Sequence, residues 1–412
     1  MVNGKYYPRE LIKAVSRALK IFPVVVVSGP RQSGKSTMIR EEPSLSGREY
    51  ITLDDLNFLN TAKNEPESLL SAAGQITIDE AQRAPEIFLA IKRAVDRKRV
   101  PGQFLLSGSA NFLLLKNLGD SLAGRAAYFE LMPFSAREIS RAVSREPFVG
   151  LVFSGVTPLE AARERPARIS AEQVLRGGFP PAVLAAGREY WDWFRAYEQT
   201  YLQRDVRELS QVADLGAFRT LLRLAALRTA QILNQSEIGR DAKLSAVTTG
   251  RYLSLLETSC VISRLPPYHS SRTKRLVKSP KIHLVDSGLA AFLCGVDELP
   301  PGGEEPLRGP FLETYVNQNL ISILGAHLPD AGLFYWRVRR TAEVDFIIEA
   351  GNKVLAIEIK WASKINHQDW KGLELFRRKC PKCVAGILGY SGSEVVPLGP
   401  GLFAVPLGTL LS

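Results

Sequence analysis

Apolar residues in the first third of the chain come in short runs that predict buried strands. Residues 24–27 are VVVV, a β-branched run that is typical of a strand inside a parallel sheet. Two further apolar runs, at 75–80 and 104–107, predict strands that end in acidic or small polar side chains. Because helical segments separate these runs, we expect a mainly parallel sheet with helices on both faces.

The pattern changes twice in the rest of the chain. Residues 189–209 and 216–262 have helical spacing, and the second segment predicts a helix-turn-helix. A stretch rich in Pro, Gly and Glu at 297–310 then marks a domain boundary. Beyond it the pattern predicts a helix at 311–324, three strands, a second helix and a closing strand.

These patterns predict an α/β multidomain protein, and 412 residues are enough for several domains. We expect a nucleotide-binding core on a parallel sheet, a helical and winged-helix middle, and a C-terminal α/β domain. The predicted limits are 1–145 for the core, 146–215 for a helical lid or linker, 216–296 for a winged helix, 297–310 for a linker and 311–412 for the C-terminal domain.

Composition narrows the class of protein. Hydrophobic residues make up 45% of the chain, which supports ordinary globular cores and excludes a disordered protein. The formal net charge of +11 favours an acidic partner, most often nucleic acid, and a solvated basic surface is the alternative. Four cysteines are too few for a disulfide scaffold, and the first residues predict an amphipathic helix, not a signal peptide. We therefore expect a cytoplasmic protein with no membrane partner.

The run after the first strand carries the clearest chemistry. Residues 29–36, GPRQSGKS, fit the pattern GxxxxGK[ST] of a phosphate-binding loop that opens a helix. Glycines let backbone N–H groups approach phosphate, and the helix N-terminus adds a positive dipole. Lys35 can reach the β- and γ-phosphates of ATP, and Ser36 can ligate Mg²⁺.

The next strand supplies acidic partners for this loop. Asp79 would hold the Mg²⁺ shell, and Glu80 would orient or deprotonate the attacking water. Ser109, after the third strand, could sense the γ-phosphate. The full set of predicted nucleotide contacts is Gly29, Pro30, Arg31, Gln32, Ser33, Gly34, Lys35, Ser36, Thr37, Asp79 and Ser109.

Several segments together give the front of the chain a family resemblance. The loop, IDEAQ at 78–82, SGSAN at 107–111 and the SLAGR…ELMPFSARE stretch within 119–138 resemble the AAA+ superfamily. They are similar in particular to bacterial and archaeal ATPases that carry a C-terminal domain of uncharacterised function. RGGFP at 176–180 and KIHLVDSGL at 281–289 fit the same group.

The resemblance implies an ATPase in which Lys35, Ser36, Asp79 and Glu80 have the roles given above. Arg125 is the candidate for a charge-stabilising arginine finger, acting in cis or in trans. A surface ion pair is the alternative interpretation of Arg125. Monomer and homo-oligomer both stay open.

A basic stretch follows the predicted helix-turn-helix. Residues 261–285 contain no acidic residue and resemble the β-wing of a winged helix. Basic and hydroxyl side chains in such a segment are suited to contacts with phosphate, so DNA is the expected partner. The predicted contacts are Arg272, Lys274, Arg275 and Lys278. The alternative is a winged helix that serves only as a packing module.

Charged residues interrupt two apolar strands of the predicted C-terminal domain. EVDFIIEA and KVLAIEIKW flank a Gly-Asn pair at 351–352, which predicts a hairpin with a two-residue turn. In that register Asp345 lies opposite Glu358, and Glu343 opposite Lys360, all on one face. Facing carboxylates about 4.5–5.5 Å apart at Cβ repel each other unless a cation lies between them. Oxygen ligands suit Mg²⁺ or Mn²⁺, and Lys360 could then position water or stabilise a pentavalent phosphate.

Asp345 and Glu358-Ile-Lys360 resemble the motif of the PD-(D/E)xK nuclease superfamily, which has the restriction-endonuclease-like fold. Val344 stands where the family name has proline, and Glu313 occupies the place of an extra acidic residue. The resemblance implies that Asp345, Glu358 and Glu313 bind the metal and that Lys360 is catalytic.

Two other functions stay open. The nuclease-like domain could be a binding scaffold with an ion pair in place of a metal, which would make the protein an ATP-driven regulatory switch. The other alternative is a peptide or protein remodeller, which leaves the basic stretch unexplained.

Overall fold

The computed structural model describes residues 6–71, 74–109, 122–163, 168–200, 214–269, 271–300, 305–338 and 341–412. The chain divides into two compact units. The first comprises Met1–Phe134 with Thr258–Val261, and the second comprises Ser135–Glu257 with Ile262–Ser412. No helix in these described ranges combines the length and the apolar character that a membrane span needs.

The first unit is built on a parallel sheet with strand order β2-β3-β4-β1-β5, as the alternation of strands and helices predicts. Its strands are β1 Val24–Ser28, β2 Glu49–Thr52, β3 Ile76–Asp79, β4 Phe104–Ser107 and β5 Ala126–Glu130. Its helices are α1 Ile12–Leu19, α2 Lys35–Glu41, α3 Leu56–Asn64, α4 Pro66–Ser71 and α5 Glu86–Arg97, with 3₁₀ turns at Pro43–Leu45 and Ala81–Arg83.

The valines of β1 explain why helices cover both faces of this sheet. Successive side chains of a strand point to opposite faces. Val24 and Val26 pack into a core with residues of α3, α4 and α5, whereas Val25 and Val27 pack into a second core with residues of α1 and α2. All four valines are fully buried, so β1 has no solvent-facing side.

The second unit begins with short helices and a small sheet with strand order β6-β8-β7. The helices are α6 Ala136–Ile139, α7 Phe148–Ser154, α8 Pro158–Ala161, α9 Ala171–Arg176, α10 Pro180–Leu184, α11 Glu189–Thr200, α12 Leu215–Leu227, α13 Gln235–Asp241, α14 Ala246–Thr258, α15 Arg272–Val277 and α16 Ser287–Cys294. The strands are β6 Gln231–Ile232, β7 Ile262–Leu265 and β8 Lys281–Leu284. Helices α13 and α14 correspond to the predicted helix-turn-helix.

The segment between β7 and β8 differs from the predicted β-wing. Proline at 266 and 267 has no N–H to donate, which prevents the β7 ladder from continuing. The chain instead runs along a neighbouring strand, where Tyr335 N donates to Pro266 O at 3.0 Å and Tyr268 N donates to Tyr335 O at 2.5 Å. Helix α15 then takes the place of a strand-like tip.

Two segments from the family resemblance, RGGFP and DSGL, form one buried joint in this unit. Asp286 caps α16 by accepting from Leu289 N at 2.8 Å, and its other oxygen accepts from Gly178 N at 2.6 Å. Gly177 has φ +66°, and a Cβ at this position would collide with the Asp286 carboxylate. The joint therefore requires glycine at 177 for both its conformation and its space.

The C-terminal part of the second unit is a long helix on a mixed sheet with strand order β13-β14-β12-β11-β10-β9. Its elements are α17 Arg308–His327, β9 Gly332–Val338, β10 Ala342–Ala350, β11 Lys353–Ile359, α18 Lys371–Lys379, β12 Cys383–Tyr390, β13 Val396–Gly399, β14 Leu402–Pro406 and α19 Leu407–Leu410, with a 3₁₀ turn at His367–Trp370. Strands β13 and β14 and helix α19 are absent from the sequence-based prediction.

The predicted hairpin register is present. Phe346 pairs with Ile357 and Ala350 with Lys353, and Gly351 adopts the left-handed φ of +58° that the turn requires. The same register continued by one residue brings Asp345 opposite Glu358.

Candidate nucleotide site and C-terminal carboxylate site

The phosphate-binding loop connects β1 to α2, as the sequence predicts. Its backbone takes the left-handed φ region at Gly29 (+142°), Gln32 (+59°) and Gly34 (+94°). A Cβ at position 29 would collide with the backbone oxygen of Leu131, so only glycine fits there. The other predicted contacts, Pro30, Arg31, Ser33, Ser36 and Thr37, lie in the same loop or in the first turn of α2.

The ammonium of Lys35 folds back over its own loop. It donates to Gly29 O at 3.0 Å and to Pro30 O at 2.8 Å, and the side chain is buried. Burial lowers the pKa of Lys35 to about 8, although the carboxylates of Glu80 and Asp79 act in the opposite direction. The two backbone carbonyls are weaker acceptors than phosphate oxygens, so the ammonium is available to a phosphate group.

Asp79 lies at the carboxyl end of β3, on the same edge of the sheet as the loop. Its Oδ1 accepts a hydrogen bond from Ser107 Oγ, and its Oδ2 accepts from Tyr50 OH at 2.9 Å. Strand β4, which ends at Ser107, lies between β3 and β1. Hydroxyl groups from both neighbouring strands therefore orient the carboxylate that the sequence assigns to the Mg²⁺ shell.

Glu80 follows in an unusual backbone conformation. Its φ is +54°, which is rare for a non-glycine residue and is typical of positions held by functional geometry. Gln82 Nε2 donates to the Glu80 carboxylate and lies 3.4 Å from Ser109 Oγ. The structure thus brings Ser109 and Glu80 to the same amide, as expected for residues at the carboxyl ends of neighbouring strands.

Arg9 is a contact that the sequence patterns do not reveal. Its buried guanidinium donates to Ser33 O at 2.7 Å and to Met132 O at 2.6 Å, and it lies 4.8 Å from the centre of the Phe134 ring. Arg9 therefore joins the phosphate-binding loop to the segment after β5. The partner positions are far away in sequence, so no local pattern announces them.

Arg125 lies at the opposite edge of the sheet from the loop. It precedes β5, whose first residue pairs with Val24, whereas the loop begins after Ser28. Five residues of strand separate the two edges by roughly 16 Å. The guanidinium forms an ion pair with Asp96 at 2.6 Å and donates to Ala123 O at 2.9 Å. Arg125 is thus too far away to act on phosphate bound by its own chain. Of the two interpretations of this residue, the structure contains the surface ion pair.

Asp345 and Glu358 directly follow Phe346–Ile357, the last pair of the predicted register, whereas Glu343 contacts Lys281 and not the predicted Lys360. Asp345 and Glu358 are both 9% exposed. Ile359 N donates to Asp345 Oδ2 at 2.9 Å, and Lys360 Nζ lies 3.1 Å from Glu358 Oε1. Glu358 Oε2 is buried and has no hydrogen-bond partner among the residues that the structure describes. Burial and the nearby charge of Asp345 raise the pKa of Glu358 well above its usual value.

A second lysine, Lys281 at the start of β8, enters this site. Its Nζ lies 2.7 Å from Glu343 Oε1, 2.8 Å from Glu313 Oε1 and 3.5 Å from Asp345 Oδ1. The side chain is only 3% exposed. Burial disfavours the ammonium, but the three carboxylates outweigh it and raise the pKa of Lys281. In the sequence Lys281 is one basic residue among several, and nothing there links it to the hairpin.

The carboxylates also perturb one another. Four of them share this site with three cationic groups, the ammonium groups of Lys281 and Lys360 and the guanidinium of Arg337, so carboxylates outnumber cations by one. Burial and the charge of Asp345 accordingly raise the pKa of Glu313 to about 8. A further positive charge would therefore be favourable beside Asp345 and Glu358.

The fit of a divalent ion differs among the three predicted ligands. Glu358 offers an unpartnered buried oxygen, and Asp345 lies beside it, so these two provide the hard oxygen donors that Mg²⁺ and Mn²⁺ prefer. Lys281 donates to one oxygen of Glu313 at 2.8 Å and to one oxygen of Asp345 at 3.5 Å, so both carboxylates are already engaged by a cation. Within the described residues, no three or more acidic, histidine or cysteine side chains are arranged to hold a metal ion.

The predicted DNA contacts differ in their surroundings. Arg275 donates to Glu349 through both terminal nitrogens, at 2.5 and 3.2 Å, and its guanidinium lies over the rings of Tyr268 and Phe334. Arg275 is therefore engaged in packing, which corrects the expectation of a free phosphate contact. Lys278 is exposed. The side chains of Arg272 and Lys274 are outside the described part of the structure.

Comparison with known protein families agrees with the loop geometry. Residues 22–140 match the family model described as AAA domain. The front of the chain is thus similar to AAA domains. Residues 168–299 and 308–410 match two further models, both described as domains of unknown function (DUF8612 and DUF4143). These two matches identify the limits of the later regions and carry no information about their activity.

Similar proteins extend over almost the whole chain. An uncharacterized protein of Mycobacterium tuberculosis is 29% identical over 409 residues, covering 98% of this chain and 84% of the relative. An uncharacterized protein of Haemophilus influenzae is 22% identical over 314 residues, covering 72% and 74%. The alignment with the mycobacterial protein thus spans all three regions of this chain.

Solved structures show weaker likeness. A Walker-type ATPase of Pyrococcus abyssi is 15% identical and aligns with a TM-score of 0.45 over 71% of this chain and 97% of its own. Cdc6p of Pyrobaculum aerophilum is 12% identical, with a TM-score of 0.27 over 77% and 97%. Likeness at these scores supports no assignment of activity to this chain.

Proposed function

We propose that this protein binds ATP with Mg²⁺ and hydrolyses it at the edge of the AAA sheet. The observation that carries the proposal is the convergence of Lys35, Asp79 and Glu80 at the carboxyl ends of β1 and β3. The match of residues 22–140 to the AAA domain supports it.

Each of these residues has a distinct task in the proposed reaction. Loop N–H groups and the Lys35 ammonium bind the β- and γ-phosphates, while Ser36 and Asp79 hold the metal. Mg²⁺ at such a site neutralises charge on the phosphate oxygens. Glu80 orients the attacking water or takes its proton, and the hydrogen bond from Gln82 holds the carboxylate in place.

A pair of variants separates binding from turnover. Glu80→Gln should bind ATP as the parent does and lose turnover by about 10²-fold or more, because only the group that handles water is altered. Lys35→Ala should lose ATP affinity as well. The measurements are nucleotide binding by calorimetry and phosphate release in steady state. Normal turnover by Glu80→Gln would show that Glu80 does not handle the water.

We further propose that the C-terminal region is a nuclease-like domain that engages DNA. The supporting observation is the proximity of Asp345, Glu358 and Lys360, with one buried oxygen of Glu358 lacking a partner among the described residues. Asp345 and Glu358 would hold a divalent ion, which supplies Lewis acidity at a phosphate oxygen. Lys360 would stabilise negative charge on that phosphate.

The test is DNA cleavage with purified full-length protein, Mn²⁺ and ATP, on plasmid and branched DNA. Lys281 forms ion pairs with three of the carboxylates and could keep a metal ion out. The assay therefore compares the parent with Lys281→Met, and Lys360→Ala serves as the inactive control. Cleavage that Lys360→Ala abolishes would support a nuclease. If neither the parent nor Lys281→Met cleaves, the domain is a scaffold, and the ATP-driven regulatory switch becomes the better proposal.

A further inference from the structure

We infer that Lys281 is a built-in cation that closes the C-terminal carboxylate site, so that a divalent ion binds there only when this ammonium withdraws. The inference rests on the carboxylate site proposed above. It adds a residue from the middle region of the chain to that site and gives it a role in controlling metal access.

The geometry around Lys281 is that of a bound ion more than of a surface pair. An ammonium group has three N–H donors, and Glu313, Glu343 and Asp345 provide three acceptors within 2.7–3.5 Å. The ring of Tyr335 adds a face 5.7 Å from Nζ. The side chain is 3% exposed and has almost no contact with solvent, whereas the lysine of an ordinary surface ion pair remains solvated.

The same contacts conflict with a divalent ion. Asp345 is both a partner of Lys281 and the residue that lies opposite Glu358. A metal bound between Asp345 and Glu358 would therefore lie a few ångströms from a buried ammonium, where like charges repel strongly. The ammonium also engages Glu313, the third predicted ligand, through its Oε1. Metal and ammonium thus compete for the same carboxylates.

The position of Lys281 in the chain limits how its ammonium can withdraw. Residues 272–281 contact strand β10 at two points, through Arg275 on Glu349 and through Lys281 on Glu343 and Asp345. The exposed Lys278 lies between these two contacts. Because Lys281 itself is paired with Ile232 and Leu265 in the small sheet, its withdrawal is a rotation of the side chain and not a movement of the strand.

Metal binding is the test, because it does not depend on catalysis. Nucleotide-free full-length protein is titrated with Mn²⁺ and followed by calorimetry and by the loss of the free-Mn²⁺ paramagnetic resonance signal. We expect Lys281→Met to bind Mn²⁺ at least about tenfold more tightly than the parent, since a neighbouring positive charge is removed. Adding Glu358→Gln to Lys281→Met should abolish the new site, which assigns the signal to this cluster.

Three further variants control for folding and charge. Lys281→Arg keeps the cation and should bind as weakly as the parent. Lys278→Met removes an exposed lysine of the same segment and should also match the parent. Since Lys281→Met leaves carboxylates unbalanced, the charge-matched double variant Lys281→Met/Glu343→Gln is titrated in parallel, with folding checked by circular dichroism.

Two results would overturn the inference. One is tight, Glu358-dependent Mn²⁺ binding by the parent, equal to that of Lys281→Met. The other is a folded Lys281→Met or double variant that gains no Mn²⁺ site. A variant that binds Mn²⁺ without cutting DNA would refute the nuclease proposal and leave this inference standing, so the two can fail separately.

Discussion

The contact between Arg275 and Glu349 leads to a specific prediction. The sequence predicts that Arg275 contacts DNA phosphate, whereas the structure shows it packed against its own chain. As a phosphate contact it would be exposed and free. In the structure it forms a two-point ion pair with Glu349, and its guanidinium lies 4.4 Å from the centre of the Tyr268 ring and 4.8 Å from that of Phe334. Its side chain is 13% exposed. We therefore predict that Arg275→Ala lowers stability and leaves DNA affinity nearly unchanged.

The expected loss can be estimated from the contacts. Two partly desolvated cation–π contacts contribute about 1 kcal/mol each, and a charged two-point hydrogen bond contributes about 1.5–3 kcal/mol. Side-chain entropy and the partial exposure of Glu349 reduce the sum, so we expect about 2–4 kcal/mol. Lys278→Ala, on the same segment and exposed, should stay within about 0.5 kcal/mol of the parent. Urea unfolding of the full-length proteins gives both values.

The pH dependence of this difference has a definite sign. Hydrogen bonds from Arg275 are the largest cause of a lowered pKa at Glu349. A carboxyl group with a lowered folded-state pKa contributes stability above its ordinary pKa and loses that contribution as the pH falls through the lowered value. The gap between the parent and Arg275→Ala should therefore be complete at neutral pH and shrink in acid.

The effect on DNA binding is tested through the salt dependence of DNA affinity. Each lost phosphate contact should reduce the slope of log affinity against log salt by about 0.9. We expect that reduction for Lys278→Ala and none for Arg275→Ala. Unchanged stability together with a flatter salt slope for Arg275→Ala would refute the packing role and restore the phosphate contact.

Three further predictions concern the first unit. Gly29→Ala should abolish nucleotide binding and destabilise the protein, since its Cβ would meet the backbone of Leu131, whereas Gly47→Ala has open space and should be neutral in the same calorimetric and unfolding assays. Arg9→Met should weaken ATP affinity by about tenfold or more by releasing the loop, and normal affinity would limit this residue to stability. Arg125→Ala should lower the free energy of unfolding by about 1 kcal/mol or less and leave ATP turnover intact. If copies of the chain assemble and Arg125 acts on a neighbouring copy, Arg125→Ala should lose turnover, and mixing it with Lys35→Ala should restore activity.

Local chemistry explains which features could be predicted from the sequence. The phosphate-binding loop is contiguous, and Asp79 and Glu80 follow a short apolar strand, so both are visible as patterns. The hairpin register follows from strand alternation and the turn at Gly351. Strands β13 and β14 are not predicted because both are short and contain proline, and β13 also contains glycine; these residues argue against a strand.

The unpredicted contacts are those that tertiary structure alone creates. Arg9 and Met132 are 123 positions apart, and Lys281 and Asp345 are 64 apart. Residues so far apart are not related by the helical or strand periodicity on which sequence-based prediction depends. The two prolines at 266–267 end the β7 ladder, but no local pattern shows which strand the chain runs along afterwards.

The alternating valines of β1 have a consequence for motion. Because each face of this strand belongs to a different core and both its edges are paired, its amides cannot exchange with solvent through a local opening. They should show the slowest hydrogen exchange of the first unit, at a rate set by unfolding of that whole unit. The adjoining loop thus starts from a fixed anchor, and its rearrangement around a nucleotide must begin beyond Ser28.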